Sequence, residues 1–233
     1  KGNVFFESSV PTKSFDGPES LVDEIYNVIE KQGLIDSMIG IGIGAPNGNI
    51  NSGTIEFAPN LPWKGSIPLA KIFESRFNLR VILTNDANAA AIGEMIYGNA
   101  HDLKDFVLIT LGTGLGSGIV ANGNLIYGHD GFAGEYGHIR VIPDGRTCGC
   151  GRKGCLETYV SATGVTRSAM ELQSPNKDTS ELSRMEALRA QDVFEAASNG
   201  DIKKVKQYVR DGAAINAKNI HGVTPLMRAA RGG

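Results

Sequence analysis

Apolar and polar positions recur with two different periods along this chain, and the switches between them mark its elements. Residues 19–32, ESLVDEIYNVIEKQ, place Leu21, Val22, Ile25, Val28 and Ile29 at helical spacing, and Gly33 follows as a stop. Residues 67–77 predict a second helix and the alanine-rich stretch 87–97 a third. Between them lie extended segments. Residues 2–10, GNVFFESSV, read as one strand of a hairpin opened by Gly2-Asn3. Met38 to Ile43 is an apolar run broken by Gly40 and Gly42; it reads as a buried strand running into a turn at Ala45-Pro46-Asn47-Gly48. Arg80–Leu83 and Phe106–Thr110 are two more apolar runs, and Asn122-Gly123 is a two-residue hairpin signal before Leu125-Ile126-Tyr127. Residues 128–157 are loop-rich. Helical texture returns after about residue 160, with Ser174–Ser180 (SPNKDTS) as an exposed linker or loop. Strands mixed with helices predict an α/β domain.

Composition sharpens this in three places. Thirty glycines in 233 residues, with no collagen period, concentrate in turns and in loops suited to hold a ligand. The three cysteines all fall within 148–155, which excludes a secreted disulfide scaffold and points to a metal or a reactive thiol in a reducing, cytoplasmic setting. No apolar run is long enough to span a membrane, and no secretory leader is visible. The net charge of −2 gives no footprint for nucleic acid or an anionic membrane. Its distribution is uneven. Lys203, Lys204, Lys206, Arg210, Lys218, Arg228 and Arg231 against Asp201 and Asp211 make residues 199–233 net +5, which leaves −7 for the rest. Such a basic helical tail reads as a solvated face rather than a nucleic-acid surface.

Four constellations carry chemistry. His138, Cys148, Cys150 and Cys155 have the spacing H-x9-C-x-C-x4-C in a glycine-rich stretch. Three thiolates and one imidazole make a closed tetrahedral zinc set, and a closed set is structural because no position remains for water. The other reading is three reduced, unliganded cysteines. Asn85-Asp86 ends a strand and opens a helix. Asp86 there either caps the helix or, as a carboxylate at the strand end, accepts the proton of a substrate hydroxyl. LGTGLGSGIV (111–120) follows a strand with Gly112, Gly114, Gly116 and Gly118 beside the hydroxyls of Thr113 and Ser117. It suits either a phosphate-binding turn or a tight hairpin, and it is not the lysine-containing P-loop pattern. Glu135 and Glu157 flank the cysteine cluster. They are either exposed surface acids or carboxylates held on a zinc-stiffened frame, where they would suit vicinal sugar hydroxyls.

At these residues the chain resembles a known family. GEYGHIRVIPDGRTCGCGRKGCLETYVS is similar to the signature of the ROK family of sugar kinases and sugar-responsive repressors. TNDANAAAIGE and LGTGLGSGIV resemble that family's catalytic-aspartate and second phosphate motifs in the same order, and APNLPW resembles its glucokinase branch. The resemblance covers residues 1–170, extending toward 201. It implies a duplicated ribonuclease-H-like, actin-like fold with sugar and ATP between two lobes. By motif, Asp86 would deprotonate the 6-hydroxyl of a hexose, glucose first. Asn60, Asn85, Asp86, Glu135, His138 and Glu157 would bind the sugar, and His138 would also ligate zinc with the cysteines. Gly112, Thr113, Gly114, Gly116 and Gly118 would face the ATP phosphates, bridged by magnesium.

Two family features have no counterpart: an opening strand with a D-x-G-G-T-type phosphate loop, and a C-terminal glycine-rich adenosine motif. The tail instead resembles the start of an ankyrin array, in EALRAQDVFEAASNGDIKKVKQYVRDGAAINAKN and IHGVTPLMRAARGG. The expected organisation is therefore a kinase segment over 1–180, incomplete at both ends, and an all-α ankyrin-like segment over 186–233. Residues 1–233 alone are expected to bind sugar weakly and not to turn over ATP. Two other readings are a non-catalytic sugar sensor or repressor, and an ankyrin-type interaction module carrying a kinase remnant. A homodimer and a protein partner for the tail are the further partners such readings allow.

Overall fold

The computed structural model describes residues 3–57, 61–173 and 189–198. The linker at 174–180, the domain boundary near 180–186 and the ankyrin-like tail from 199 onward lie outside them. Two compact units are present: Lys1–Leu108 with Ser117–Gly134, and Ile109–Gly116 with Glu135–Gly233.

In the first unit, helix α1 spans Pro18–Glu30. Proline at its first position costs no hydrogen bond, and Gly33 beyond its end adopts φ +67°, the left-handed conformation that favours glycine. Strand β1 (Ile41–Ala45) pairs in parallel with β5 (Val81–Asn85), from Ile41 opposite Val81 to Ala45 opposite Asn85. Helix α2 (Leu69–Phe77) precedes β5, and α3 (Asp86–Tyr97) follows it directly. One core joins these elements: Val22 of α1, Ala45 of β1, Leu69, Phe73 and Phe77 of α2, and Val81 and Leu83 of β5. The alanines of α3 let backbones approach closely. A Cβ at Gly44 would stand 2.8 Å from Ala89 Cβ, and one at Gly118 2.6 Å from Ala91 Cβ, so both strand positions need glycine.

The sequence reading needs four corrections here. Residues 3–11 form no strand; Val4 and Phe5 are 79% and 89% exposed. They have no ladder partner among the described residues, and an extended segment becomes a strand only through one. The run from Met38 enters a strand only at Ile41, and Ile39 is fully exposed. β5 is not buried throughout: Ile82 is exposed between buried Val81 and Leu83, although Thr84 on the same face is buried. A small antiparallel sheet of β2 (Gly48–Asn49), β3 (Thr54–Glu56) and β4 (Ser66–Ile67) was not foreseen, since its strands are too short to show alternation.

Strands β6 (Phe106–Leu111), β7 (Leu115–Ala121) and β8 (Asn124–Leu125) follow one another in a third sheet. Asn122 and Gly123 turn between β7 and β8 with φ 50° and 73°, as their chemistry predicts. In the second unit, α4 (Glu157–Val160) and α5 (Ala162–Gln173) follow the cysteine loop, and α6 covers Ala190–Ser198. Leu115, Tyr159 and Val160 are the buried centre of a small cluster there, with Tyr136 and Leu156 against it.

Candidate functional site

The Asn85-Asp86 pair sits where β5 passes into α3 without a loop. Asn85 has extended backbone, and its Oδ1 accepts a 2.8 Å hydrogen bond from Ala87 N, so it caps the helix. This corrects the first reading of Asp86: the cap is the residue before it. Asp86 is the first helical residue and is exposed, with Oδ1 touching Ala87 N at 2.8 Å. A carboxylate there lies at the positive end of the helix dipole. On either side in sequence, Thr84 Oγ1 and Asn88 Oδ1 are buried with no hydrogen-bond partner among the described residues. Asn60 lies outside the described residues.

The glycine motif is a hairpin turn. β6 ends at Leu111, β7 begins at Leu115, and Gly112 N donates to Gly114 O at 3.0 Å. Three groups from one short segment grip the turn. Ala162 N donates to Gly112 O at 2.9 Å and Thr163 Oγ1 to Thr113 O at 2.9 Å, while Glu157 Oε2 accepts from Leu115 N at 3.1 Å. A Cβ at Gly114 would collide with that carboxylate. Gly112 and Thr113 are exposed, and nothing crowds Gly112. Gly116 and Gly118 lie within β7, and Gly118 serves the packing of α3. Thr113 borders a cleft of about 370 Å³ that is also lined by Thr163, Thr166, Arg167, Met170 and Ala190.

The cysteine loop folds His138, Cys148, Cys150 and Cys155 together, with all four ligand atoms within 4.8 Å of one another. Cys148 Sγ lies 3.5 Å from His138 Nδ1, and Cys150 Sγ lies 3.7 Å from Cys155 Sγ. A tetrahedral zinc with ordinary bond lengths has S···N and S···S edges of about 3.5 and 3.8 Å, so these residues fit that ion. All three cysteines are free; Cys148 and Cys155 are buried and Cys150 is exposed. Burial pushes the Cys148 thiol up to about 12 and raises Cys155 as well. At Cys150 burial acts the same way, but hydrogen bonds from Arg152 backbone and side chain and from the neighbouring thiols outweigh it and hold it at about 6.

The loop has its own frame. Arg140 bridges to Cys155 and Thr147 to Lys153 as isolated β-bridges. Gly154, at φ +76°, sits where a Cβ would collide with Ile142 O. Arg146 ties the loop to the helices: its guanidinium donates to Thr158 O at 2.6 Å, Gly164 O at 3.1 Å, Ser168 Oγ at 2.9 Å and Glu171 Oε2 at 2.6 Å. It also stands 4.6 Å from the centre of the Tyr159 ring, whose hydroxyl accepts from Arg146 N at 2.8 Å. The hydrogen bond from the Arg146 guanidinium to Glu171 Oε2 holds the Glu171 carboxyl below the usual range, against a smaller opposing effect of burial.

Of the predicted residues, the structure gathers Glu135, His138, Glu157 and the three cysteines with the glycine turn in the second unit. Asn85 and Asp86 stand together in the first. Glu135 is exposed, with Oε2 3.9 Å from His138 Nε2. Glu157 is not a free surface acid: besides Leu115 N, its Oε1 lies 3.5 Å from Cys148 Sγ. Arg146, and Thr84 Oγ1 and Asn88 Oδ1 without partners among the described residues, escaped the sequence reading. Arg146 reaches Glu171 across 25 positions, a separation at which no local pattern exists.

Comparison with known proteins agrees with this geometry. The ROK family profile matches residues 1–229 and so runs through the ankyrin-like segment. A glucokinase of Halalkalibacterium halodurans is 41% identical over 210 residues, covering 86% of this chain and 63% of that protein. The crystal structure of a ROK family glucokinase from Streptomyces griseus in complex with glucose and AMPPNP superposes with a TM-score of 0.68 at 35% identity, covering 89% of this chain and 67% of that one. A ROK family transcriptional regulator, a homolog of the E. coli MLC protein, gives a TM-score of 0.72 at 29% identity, covering 84% of this chain and 49% of that one. The chain thus spans about three fifths of the length of the curated relatives it matches. No helix among the described residues is long and apolar enough to cross a membrane. With the profile match, the 41% identity and the mixed α/β fold shared with solved members, this chain belongs to the ROK family.

Proposed function

We propose that the protein carrying this chain is an ATP-dependent hexose kinase, glucose first, that phosphorylates the 6-hydroxyl. The observation that carries the reading is Asp86: a carboxylate exposed at the C-terminal end of β5, with the capping of α3 taken over by Asn85. Asp86 accepts the proton of the attacking hydroxyl, and phosphoryl transfer otherwise needs positioning and charge stabilisation. Asn60, Asn85, Glu135, His138 and Glu157 hold the remaining hydroxyls. His138 serves twice, because its Nδ1 faces Cys148 and its Nε2 is turned toward Glu135. The exposed Gly112–Thr113 end of the turn receives phosphate oxygens, with Gly114, Gly116 and Gly118 shaping the backbone behind it. The cleft beside Thr113 has the volume and the hydroxyls to receive the nucleoside. Magnesium, when bound to the phosphates, supplies charge neutralisation. His138, Cys148, Cys150 and Cys155 hold a structural zinc. The similarity to glucokinases supports this reading.

The test is an ADP-release assay on the protein as it is made in the cell, with glucose, magnesium and ATP. Asp86→Asn should lower kcat by about 10²–10⁴-fold with glucose binding retained. A variant that keeps near wild-type kcat would move the base elsewhere. The likeness to a transcriptional regulator favours a second reading, a sugar sensor without turnover. Glucose binding with no glucose-dependent ADP release by the wild type would select it.

A further inference from the structure

Glu157 joins two features that were read separately in the sequence. Its Oε2 accepts from Leu115 N at 3.1 Å, at the end of the glycine turn. Its Oε1 lies 3.5 Å from Cys148 Sγ, one of the four metal-ligating positions. Cys155, another of the four, pins the start of the helix that carries Glu157: Cys155 O accepts from Thr158 N at 3.0 Å and from Thr158 Oγ1 at 2.7 Å. Gly137, beside the third ligand His138, is packed so tightly that a Cβ there would press on Leu115 O and stand 3.4 Å from Glu157 Cβ. The groups gripping the turn at Gly112, Thr113 and Leu115 all come from residues 157–163, directly after Cys155.

We propose that Glu157, beyond the sugar contact given to it above, acts as a positioning residue that transmits metal occupancy of the cysteine loop to the glycine turn. This rests on the reading of the loop as a zinc site and of the turn as a phosphate seat. An ion holding His138, Cys148 and Cys155 fixes the first turn of α4 and the face against which Glu157 lies. The carboxylate then holds Leu115 N, and with it the far end of the turn. Without the ion, α4 loses its pinned start, the Glu157–Leu115 bond opens, and the turn is held from Ala162 and Thr163 alone. Metal loading thereby tunes the nucleotide end of the site from behind, with no metal contact to substrate.

Amide hydrogen exchange on the whole chain, followed in peptides covering residues 112–116, tests this without recourse to turnover. Chelating zinc from the wild type should speed exchange in the turn about tenfold and leave α1 unchanged. Glu157→Ala, loaded with zinc, should exchange in the turn as fast as the metal-free wild type. Glu157→Gln keeps an acceptor oxygen for Leu115 N and should restore protection and its dependence on zinc. The proposal is overturned if chelation changes the turn less than about twofold. It is equally overturned if the turn and α1 accelerate together, or if zinc-loaded Glu157→Ala keeps a protected turn. Should Glu157→Ala fail to fold, Glu157→Asp, whose shorter side chain falls short of Leu115 N, takes its place: a fast-exchanging turn with zinc bound supports the proposal and a protected one overturns it. A zinc-dependent turn in a protein that releases no ADP removes the kinase reading and leaves the coupling standing. Turnover with a zinc-indifferent turn does the reverse.

Discussion

Each of the two units is ordered internally by its own physics. Around β1 and β5 the binding force is apolar burial: Val22, Phe73, Phe77, Val81 and Leu83 fill one core, and a ring stack of Phe73 on Phe77 at 5.7 Å sits within it. Around the cysteine loop the apolar cluster is small, and the chain is ordered by four side chains gathered as a candidate metal set, by glycines in conformations other residues resist, and by the hydrogen bonds of Arg146. The first kind of order is spread over many weak contacts and tolerates substitution by degrees. The second is concentrated in few groups and fails abruptly when one is removed. A site that must place several polar side chains within hydrogen-bond reach is better served by the second kind, since apolar packing does not orient carboxylates.

The largest expected break in this contrast comes from metal. With the proposed zinc in place, removing it should open residues 138–155 to proteolysis while the core of the first unit keeps its protection, because a structural zinc set contributes on the order of 10 kcal/mol to the segment it organises. The pH dependence has a definite sign. Cys148 is pushed up to about 12 and Cys155 is raised, so both are protonated at neutral pH in the metal-free protein. Binding must expel those protons, so zinc retention should weaken as pH falls, as a competition titration with a chromogenic chelator would show. A metal-free loop as protease-resistant as the loaded one would erase the contrast.

A smaller effect belongs to the first unit. Leu83 is 2% exposed. Leu83→Ala should cost about 2–5 kcal/mol, read as a lowered urea midpoint through Trp63, the single tryptophan, which packs against this core. Zinc content should stay at the wild-type level; its loss would mean that the two kinds of order are not separable.

The smallest effect sits at the strand-to-helix junction. Asn85→Ala removes the cap of α3 and should cost about 1 kcal/mol, whereas Asn85→Asp should recover most of it. An unchanged urea midpoint for Asn85→Ala would return the capping role to Asp86, whose Oδ1 also reaches Ala87 N.

Helices α1, α2 and α3, the existence of strands at β1 and β5 and the Asn122-Gly123 turn were legible in the sequence, because each depends on residues within about one element of one another: a period, a stop signal, a dipeptide; the parallel pairing of β1 with β5 was not. The gathering of His138, Cys148, Cys150 and Cys155 was legible for the same reason, since their spacing is short and their residue types have little other use together. The strand expected at residues 2–10 failed because a strand needs a partner as well as a pattern. β2, β3 and β4 were hidden because two or three residues carry no period. Which of Asn85 and Asp86 caps α3 turned on the backbone angle at Asn85, extended at φ −63° and ψ 147°. Glu157 finding Leu115 N, 42 positions away, and Arg146 finding Glu171 rest on distances that only the folded chain closes. Local chemistry is written in neighbouring letters, whereas the grip of the cysteine loop on the glycine turn exists only where separate segments meet.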